Sequence, residues 1–84
     1  MSISQKIKSV LDLGDKKQIE LGDYMGMSKQ TVANKFNRDS WSASDLIKVA
    51  DLTGCKLAYV FPDGSQVVFS IDEAHETNRQ NKGQ

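Results

Sequence analysis

Apolar residues in the opening stretch, ISQKIKSVLDL, recur at three- and four-residue intervals as Ile3, Ile7, Val10 and Leu11. That spacing gathers them on one face of a helix, and Gly14 is placed to end it. Asp15, with Gln18 three positions on, forms an approximate capping box ahead of Ile19, Leu21 and Met25. This predicts a second helix from about Lys16 to Met25. Gly26 suits the left-handed residue that closes a helix, and Ser28 is a good N-cap for a third helix carrying Val32 and Phe36 inward. Ser42 and Asp45 repeat the capping signal, with Trp41 and Leu46 at the positions of a hydrophobic staple. The fourth helix then runs to about Thr53, offers Leu46, Ile47, Val49, Ala50 and Leu52 to the core, and stops at Gly54.

From Lys56 the period changes. Leu57 to Phe61 and Val67 to Ile71 are rich in β-branched and aromatic residues, and Pro62-Asp63-Gly64 between them supplies a turn, which reads as a β-hairpin. A two-stranded sheet lying on helices should be apolar on one face and polar on the other. Leu57, Tyr59, Phe61, Val67, Phe69 and Ile71 would face the helices. Ala58, Val60 and Val68 are left on the opposite side, too apolar for water. These three are therefore expected at an interface between two copies of the chain, a homodimer through the hairpin; the alternative is a hairpin that merely closes the monomer's own core. The fold class expected is mainly α: four helices with a C-terminal β-hairpin (57–71) in one domain over residues 1–71, then a flexible polar tail over 72–84.

The 84 residues suffice for one core. Eleven Lys plus Arg balance eleven Asp plus Glu, which excludes a uniformly basic nucleic-acid coat protein and an acidic decoy. Any charge-driven function must come from a local patch. One stands out: Ser28 to Arg38 contains Lys29, Lys35 and Arg38 and no acid, while Asp45, Asp51, Asp72, Glu73 and Glu76 lie elsewhere. With one cysteine and one histidine, neither an intramolecular disulfide nor the usual structural zinc site is available, and no cofactor is expected. His75 lies in the polar tail, where a catalytic base would have no walls, so no enzyme activity is expected. Cys55 is expected to be a small, semi-buried residue, and Trp41 and Tyr59 to serve the core or an interface. No stretch has the length of a signal peptide or a membrane span, so a cytoplasmic location without a membrane partner is expected.

Gln18 to Asn37, QIELGDYMGMSKQTVANKFN, has the layout of a helix-turn-helix. Two helices joined by a tight turn cross steeply and need a small residue where they touch. Gly22 supplies it, although glycine inside a helix costs about 1 kcal/mol relative to alanine. Leu21, Met25, Val32 and Phe36 fill the space between the helices. With Val32 and Phe36 inward, a rotation of about 100° per residue puts Gln30, Asn34 and Asn37 near the centre of the outward face. Lys29 sits at the N-terminal tip, the end that enters the major groove in this motif. Asn and Gln pair bidentately with adenine and Lys reaches the guanine edge, so these side chains suit base readout. The same residues also fit a plainer reading, Gln18 as a capping residue, Gln30 and Asn34 as solvated surface and Lys35 as a solvated charge.

The stretch resembles the Cro/CI (XRE) family of phage and bacterial repressors, with their lambda-repressor-like DNA-binding domain. The shared pattern is Gln18, Gly22, Asp23, Met25-Gly26-Met27, Val32 and Phe36-Asn37, and with the flanking helices the resemblance covers about residues 3–54. It implies that Gln18 contacts a phosphate and steadies a base-reading side chain. It implies also that Lys29, Gln30, Ala33 and Asn34 face base edges and that Asn37 touches the DNA backbone. Ser28, Thr31 and Arg38 complete the expected DNA-binding surface. The family often has Ala at the position of Gly22 and a fifth helix where this chain has a hairpin. The function implied is a transcriptional repressor that binds double-stranded operator DNA as a dimer with the third helix in the major groove. The alternative is a protein-interaction module such as a DNA-binding antitoxin docking a toxin through the hairpin or tail.

Overall fold

The computed structural model describes residues 1–72. Its elements are α1 (Ile3–Leu13), α2 (Gln18–Met25), α3 (Lys29–Arg38), α4 (Ala43–Thr53), β1 (Leu57–Val60) and β2 (Gln66–Phe69). The expected polar tail with His75 lies outside these residues, save Asp72.

Most helix starts are set by short-range oxygen acceptors. Ser2 caps α1, with its Oγ accepting from the Gln5 N–H at 3.1 Å and Gln5 Oε1 accepting from the Ser2 N–H at 2.8 Å. Ser42 and Asp45 close the same reciprocal box on α4. The start of α2 departs from expectation. Asp15 does not cap it; Asp15 has φ 57° and belongs to the end of α1. There the Asp15 N–H donates to Asp12 O at 3.1 Å and the Lys16 N–H to Leu11 O at 2.9 Å, the paired bonds of a Schellman ending. A residue in the left-handed conformation is unavailable as an N-cap, which needs extended backbone. Lys17 takes that position instead, and its N–H donates to Glu20 Oε1 at 2.8 Å, so α2 begins at Gln18 rather than Lys16. Gly14 is required for a different reason than the expected stop. A Cβ there would lie 2.6 Å from Thr53 Cβ, so its lack of a side chain lets the end of α1 touch the end of α4.

The core forms where α1, α2 and α4 meet. Ile7, Leu11, Leu21 and Val49 make its centre, Leu21 is fully enclosed, and Val10, Met25, Phe36, Trp41, Leu46 and Leu52 pack around it. Val32, Ile47 and Ala50 are buried as well. Tyr24 Oη donates to Asp51 Oδ2 and ties α2 to α4. That bond, then burial and the Asp51 charge, push the Tyr24 hydroxyl up to about 12.

The hairpin pairs Leu57 with Phe69, Ala58 with Val68, Tyr59 with Val67 and Val60 with Gln66 in antiparallel register. Its turn is closed by Gly64 N–H donating to Phe61 O at 2.8 Å and Phe61 N–H donating to Ser65 O at 2.9 Å, with Gly64 at φ 94°. Both strands are shorter than expected: Phe61 belongs to the turn and Ile71 lies beyond β2. The expected inward face is also corrected. Leu57, Phe69 and Ile71 are half-buried, whereas Tyr59, Phe61 and Val67 are exposed. The hairpin meets α4 through β1, and a strand of four residues reaches about 13 Å, which carries its far end past the helices. Cys55 is exposed rather than semi-buried, its Sγ 3.2 Å from Thr53 Oγ1.

Candidate nucleic-acid interface

The inner side of α3 is anchored along its whole length. At its start Ser28 Oγ accepts from the Thr31 N–H at 3.1 Å and lies 2.9 Å from Thr31 Oγ1. Gly22 of α2 is buried against it, where a Cβ would sit 3.3 Å from both Met27 O and Val32 Cγ2. This is the close crossing that the glycine was expected to serve. In the middle, Lys35 Nζ lies 2.8 Å from Asp45 Oδ2, and the same oxygen accepts from the Ser42 N–H at 3.0 Å. Lys35 is thus no solvated charge; its ammonium joins α3 to the capped start of α4.

The end of α3 is held by α1. Ser4 is buried; its hydroxyl donates to Phe36 O at 3.0 Å and accepts from Trp41 Nε1 at 2.9 Å, while its N–H donates to Asp39 Oδ1 at 2.6 Å. Asp39 closes α3 at φ 55° and at the same time supplies an oxygen to the open N-terminus of α1. Hydrogen bonding from Ser4 holds the Asp39 carboxyl below the ordinary carboxylate range. The Phe36 and Trp41 rings meet edge to face with centroids 4.8 Å apart. Sequence reasoning missed Ser4, Asp39 and the Lys35–Asp45 pair. A buried serine in the first turn of a helix and an ion pair ten residues apart leave no local signature, although Asp39 after Arg38 is a residue type that tolerates the left-handed ending.

The outer side carries the expected residues. Lys29, Gln30, Thr31, Asn34, Asn37 and Arg38 are exposed, and Ala33 is half-buried among them. Gln30 Nε2 donates to Asn34 Oδ1 at 3.1 Å. This leaves Gln30 Oε1 as an acceptor and Asn34 Nδ2 as a donor toward an incoming ligand. Gln18, the exposed first residue of α2, shares a recess of about 420 Å³ with Ser28, Lys29 and Asp23. The structure therefore brings Gln18, Ser28 and Lys29 together at the entry of α3, and sets Asn37 and Arg38 at its exit. Because Asp45 neutralises Lys35, the outward positive charge of α3 comes from Lys29 and Arg38.

The arrangement is a rigid, convex helix face bearing amides between two cations, which fits the edges and phosphates of a nucleic-acid groove better than it fits a substrate pocket. Among the described residues no cluster of His, Cys, Asp and Glu could hold a metal ion, and no helix is long and apolar enough to cross a membrane. No curated protein and no solved structure matches the chain. The family model for the bacteriophage CI repressor helix-turn-helix domain matches residues 6–64, a span that contains both helices of the motif, α4 and the start of the hairpin. The chain thus belongs to the bacteriophage CI repressor helix-turn-helix domain family and is a DNA-binding regulator.

Proposed function

We propose that the chain is a sequence-specific transcriptional repressor that binds double-stranded operator DNA as a homodimer, with α3 of each copy in the major groove. The observation that carries this reading is the exposed amide face of α3, Gln30, Asn34 and Asn37, on a helix held from beneath by buried Val32, the Lys35–Asp45 pair and the Ser4 bond to Phe36 O. A held helix matters because base readout depends on hydrogen-bond geometry, and a helix free to shift loses the discrimination of about 1–3 kcal/mol that a bidentate contact gives. In this reading Gln30 and Asn34 meet base edges, Lys29 reaches a guanine or a phosphate, and the Ala33 methyl faces the groove floor. Gln18, Ser28, Thr31, Asn37 and Arg38 position the helix on the sugar-phosphate backbone. Two copies are needed because helix-turn-helix dimers engage half-sites about 34 Å apart.

Selection of bound duplexes from a random DNA pool tests the reading. The expected result is enrichment of one inverted repeat with half-sites about one helical turn apart. A pool that remains random after repeated rounds contradicts it.

A further inference from the structure

A cavity of about 280 Å³ opens beside the core, between α1 and α4. Ile3, Ile7 and Val10 of α1 form one wall, and Leu46, Val49 and Ala50 of α4 form the other. Leu57, at the start of β1, completes the lining. Ile7, Val49 and Ala50 are themselves buried, so the floor of the cavity is the surface of the core. No hydroxyl, amide or carboxylate side chain lines it. Water therefore finds no strong side-chain partner on these walls, and an apolar group gains by displacing it.

The mouth of the cavity carries charge of one sign. Lys6 and Lys56 line it and are both exposed, and no Asp or Glu is beside them in the lining. Neither lysine has an acidic residue within four positions along the chain, and neither makes an ion pair among the described residues. In this they differ from Lys35, whose ammonium is taken by Asp45. A lysine stem lies along an apolar wall while its ammonium stays in water, so both charges stand where the apolar floor meets solvent. An occupant that is apolar throughout leaves them unused. One with an anionic end meets them.

We infer that the cavity binds a small amphiphile, an aliphatic chain ending in a single anionic group, with the chain between α1 and α4 and the anion beside Lys6 and Lys56. Size sets the length of the chain. A cavity of about 150 Å³ holds benzene, so one of about 280 Å³ holds roughly ten non-hydrogen atoms, the size of octanoate. A helix of a protein partner does not fit, because a single turn of about 5.4 Å on a cylinder about 10 Å across already exceeds that volume. No residue of α2 or α3 lines the cavity, so a bound amphiphile leaves the outward face of α3 free. Ile3 and Ile7 flank Ser4 on α1, and Ser4 holds the end of α3 through Phe36 O and Asp39. The ligand thus rests against the helix that fastens α3 rather than against α3 itself. Its binding is measurable without DNA, so failure of the site and failure of operator reading are distinguishable.

Titration of the 84-residue chain with octanoate, followed by two-dimensional amide NMR, tests the site. Saturable shifts are expected at Ile7, Val49, Ala50 and Leu57, with a Kd of about 1 mM or below, while Asn34 on α3 stays in place. Octylamine, with the same chain and the opposite charge, should bind about 10-fold more weakly, and acetate, with the charge and no chain, should not saturate. Lys6→Glu combined with Lys56→Glu should reverse the preference, so that octylamine binds more tightly than octanoate. Lys8→Glu, the same kind of change at an exposed position of α1 outside the cavity, should keep the wild-type preference. No saturation by about 10 mM, equal binding of octanoate and octylamine, or an unreversed preference in the double variant would each overturn the site. Shifts of the same amides on dilution of the ligand-free chain would overturn it too, because a second copy would then close the cavity. Nuclear Overhauser contacts from Val49 to residues 73–84 in the ligand-free chain would do the same.

Discussion

α3 and the hairpin both project into solvent, but they do so in opposite ways. α3 shows water a polar face and is fastened beneath by Val32, the Lys35–Asp45 pair and the Ser4 network. The hairpin shows water valines and aromatic rings and meets the helices through β1 at its base. A polar surface on a rigid support suits directional recognition, since each hydrogen bond depends on where its donor is held. An apolar surface on a thin support suits association, since burial is non-directional and gains most from simple coverage. The difference supports the proposed assignment of sequence reading to α3.

The sharpest way to break the comparison is to truncate one side chain in each region. Leu21→Ala empties the centre of the helical core and should cost about 3–4 kcal/mol in chemical denaturation. Val60→Ser in the hairpin, at a position 67% exposed, should stay within about 0.5 kcal/mol. Comparable losses at the two sites would mean that the hairpin is part of the core after all.

Next comes the fastening of α3. Asp45→Ala leaves Lys35 half-buried without its partner and removes one half of the α4 capping box, so a loss of about 2–3 kcal/mol in stability is expected. Asp45→Asn should lose less, because its amide oxygen can still accept from the Ser42 N–H. Equal losses for the two would show that the charge matters more than the cap.

On DNA, Gln30→Ala and Asn34→Ala should each lose about 1–3 kcal/mol on the selected site and relax preference at a single base pair. Their hydrogen bond predicts coupling: the double variant should lose clearly less than the sum. Additive losses would show that the two amides act separately. Arg38→Ala should weaken every sequence alike and lower the magnitude of the salt slope by about 1 for each phosphate that is no longer neutralised.

The smallest effects concern pH. Asp39 has its pKa lowered in the folded chain. Its contribution is therefore present above the ordinary carboxylate pKa and is lost as pH falls through the lowered value. Tyr24 is raised to about 12, so its contribution holds below the ordinary tyrosine value of about 10 and is lost as pH rises toward 12. Asp39→Asn should flatten the acid limb of a stability profile and Tyr24→Phe the alkaline limb. A limb unchanged by its own substitution would contradict that assignment.

Local chemistry explains why so much of the fold could be read from the sequence. Ser28, Ser42 with Asp45, Gly26, Gly54 and the Pro62-Asp63-Gly64 turn act over three or four residues, and each does in the structure what its neighbours imply. The helix-turn-helix was legible for the same reason, with Gly22 as the crossing residue and Val32 beneath the outward amides. What escaped involves residues far apart in the chain: Ser4 with Asp39, Lys35 with Asp45, and Gly14 against Thr53. The direction of the hairpin escaped as well. Alternation fixes which residues share a face, but nothing within a strand says whether helices lie beneath that face. At Asp15 two local signals competed, and the ending of α1 prevailed over the start of α2 because one residue cannot be left-handed and extended at once.

The central claim is that the outward face of α3 reads base sequence. Equilibrium binding of the 84-residue chain to the selected duplex and to a scrambled duplex of equal length, at one fixed salt concentration, tests it most directly. The account predicts at least about a 10³-fold tighter Kd for the selected duplex. A ratio near one would reduce α3 to a non-specific phosphate-binding surface and contradict it.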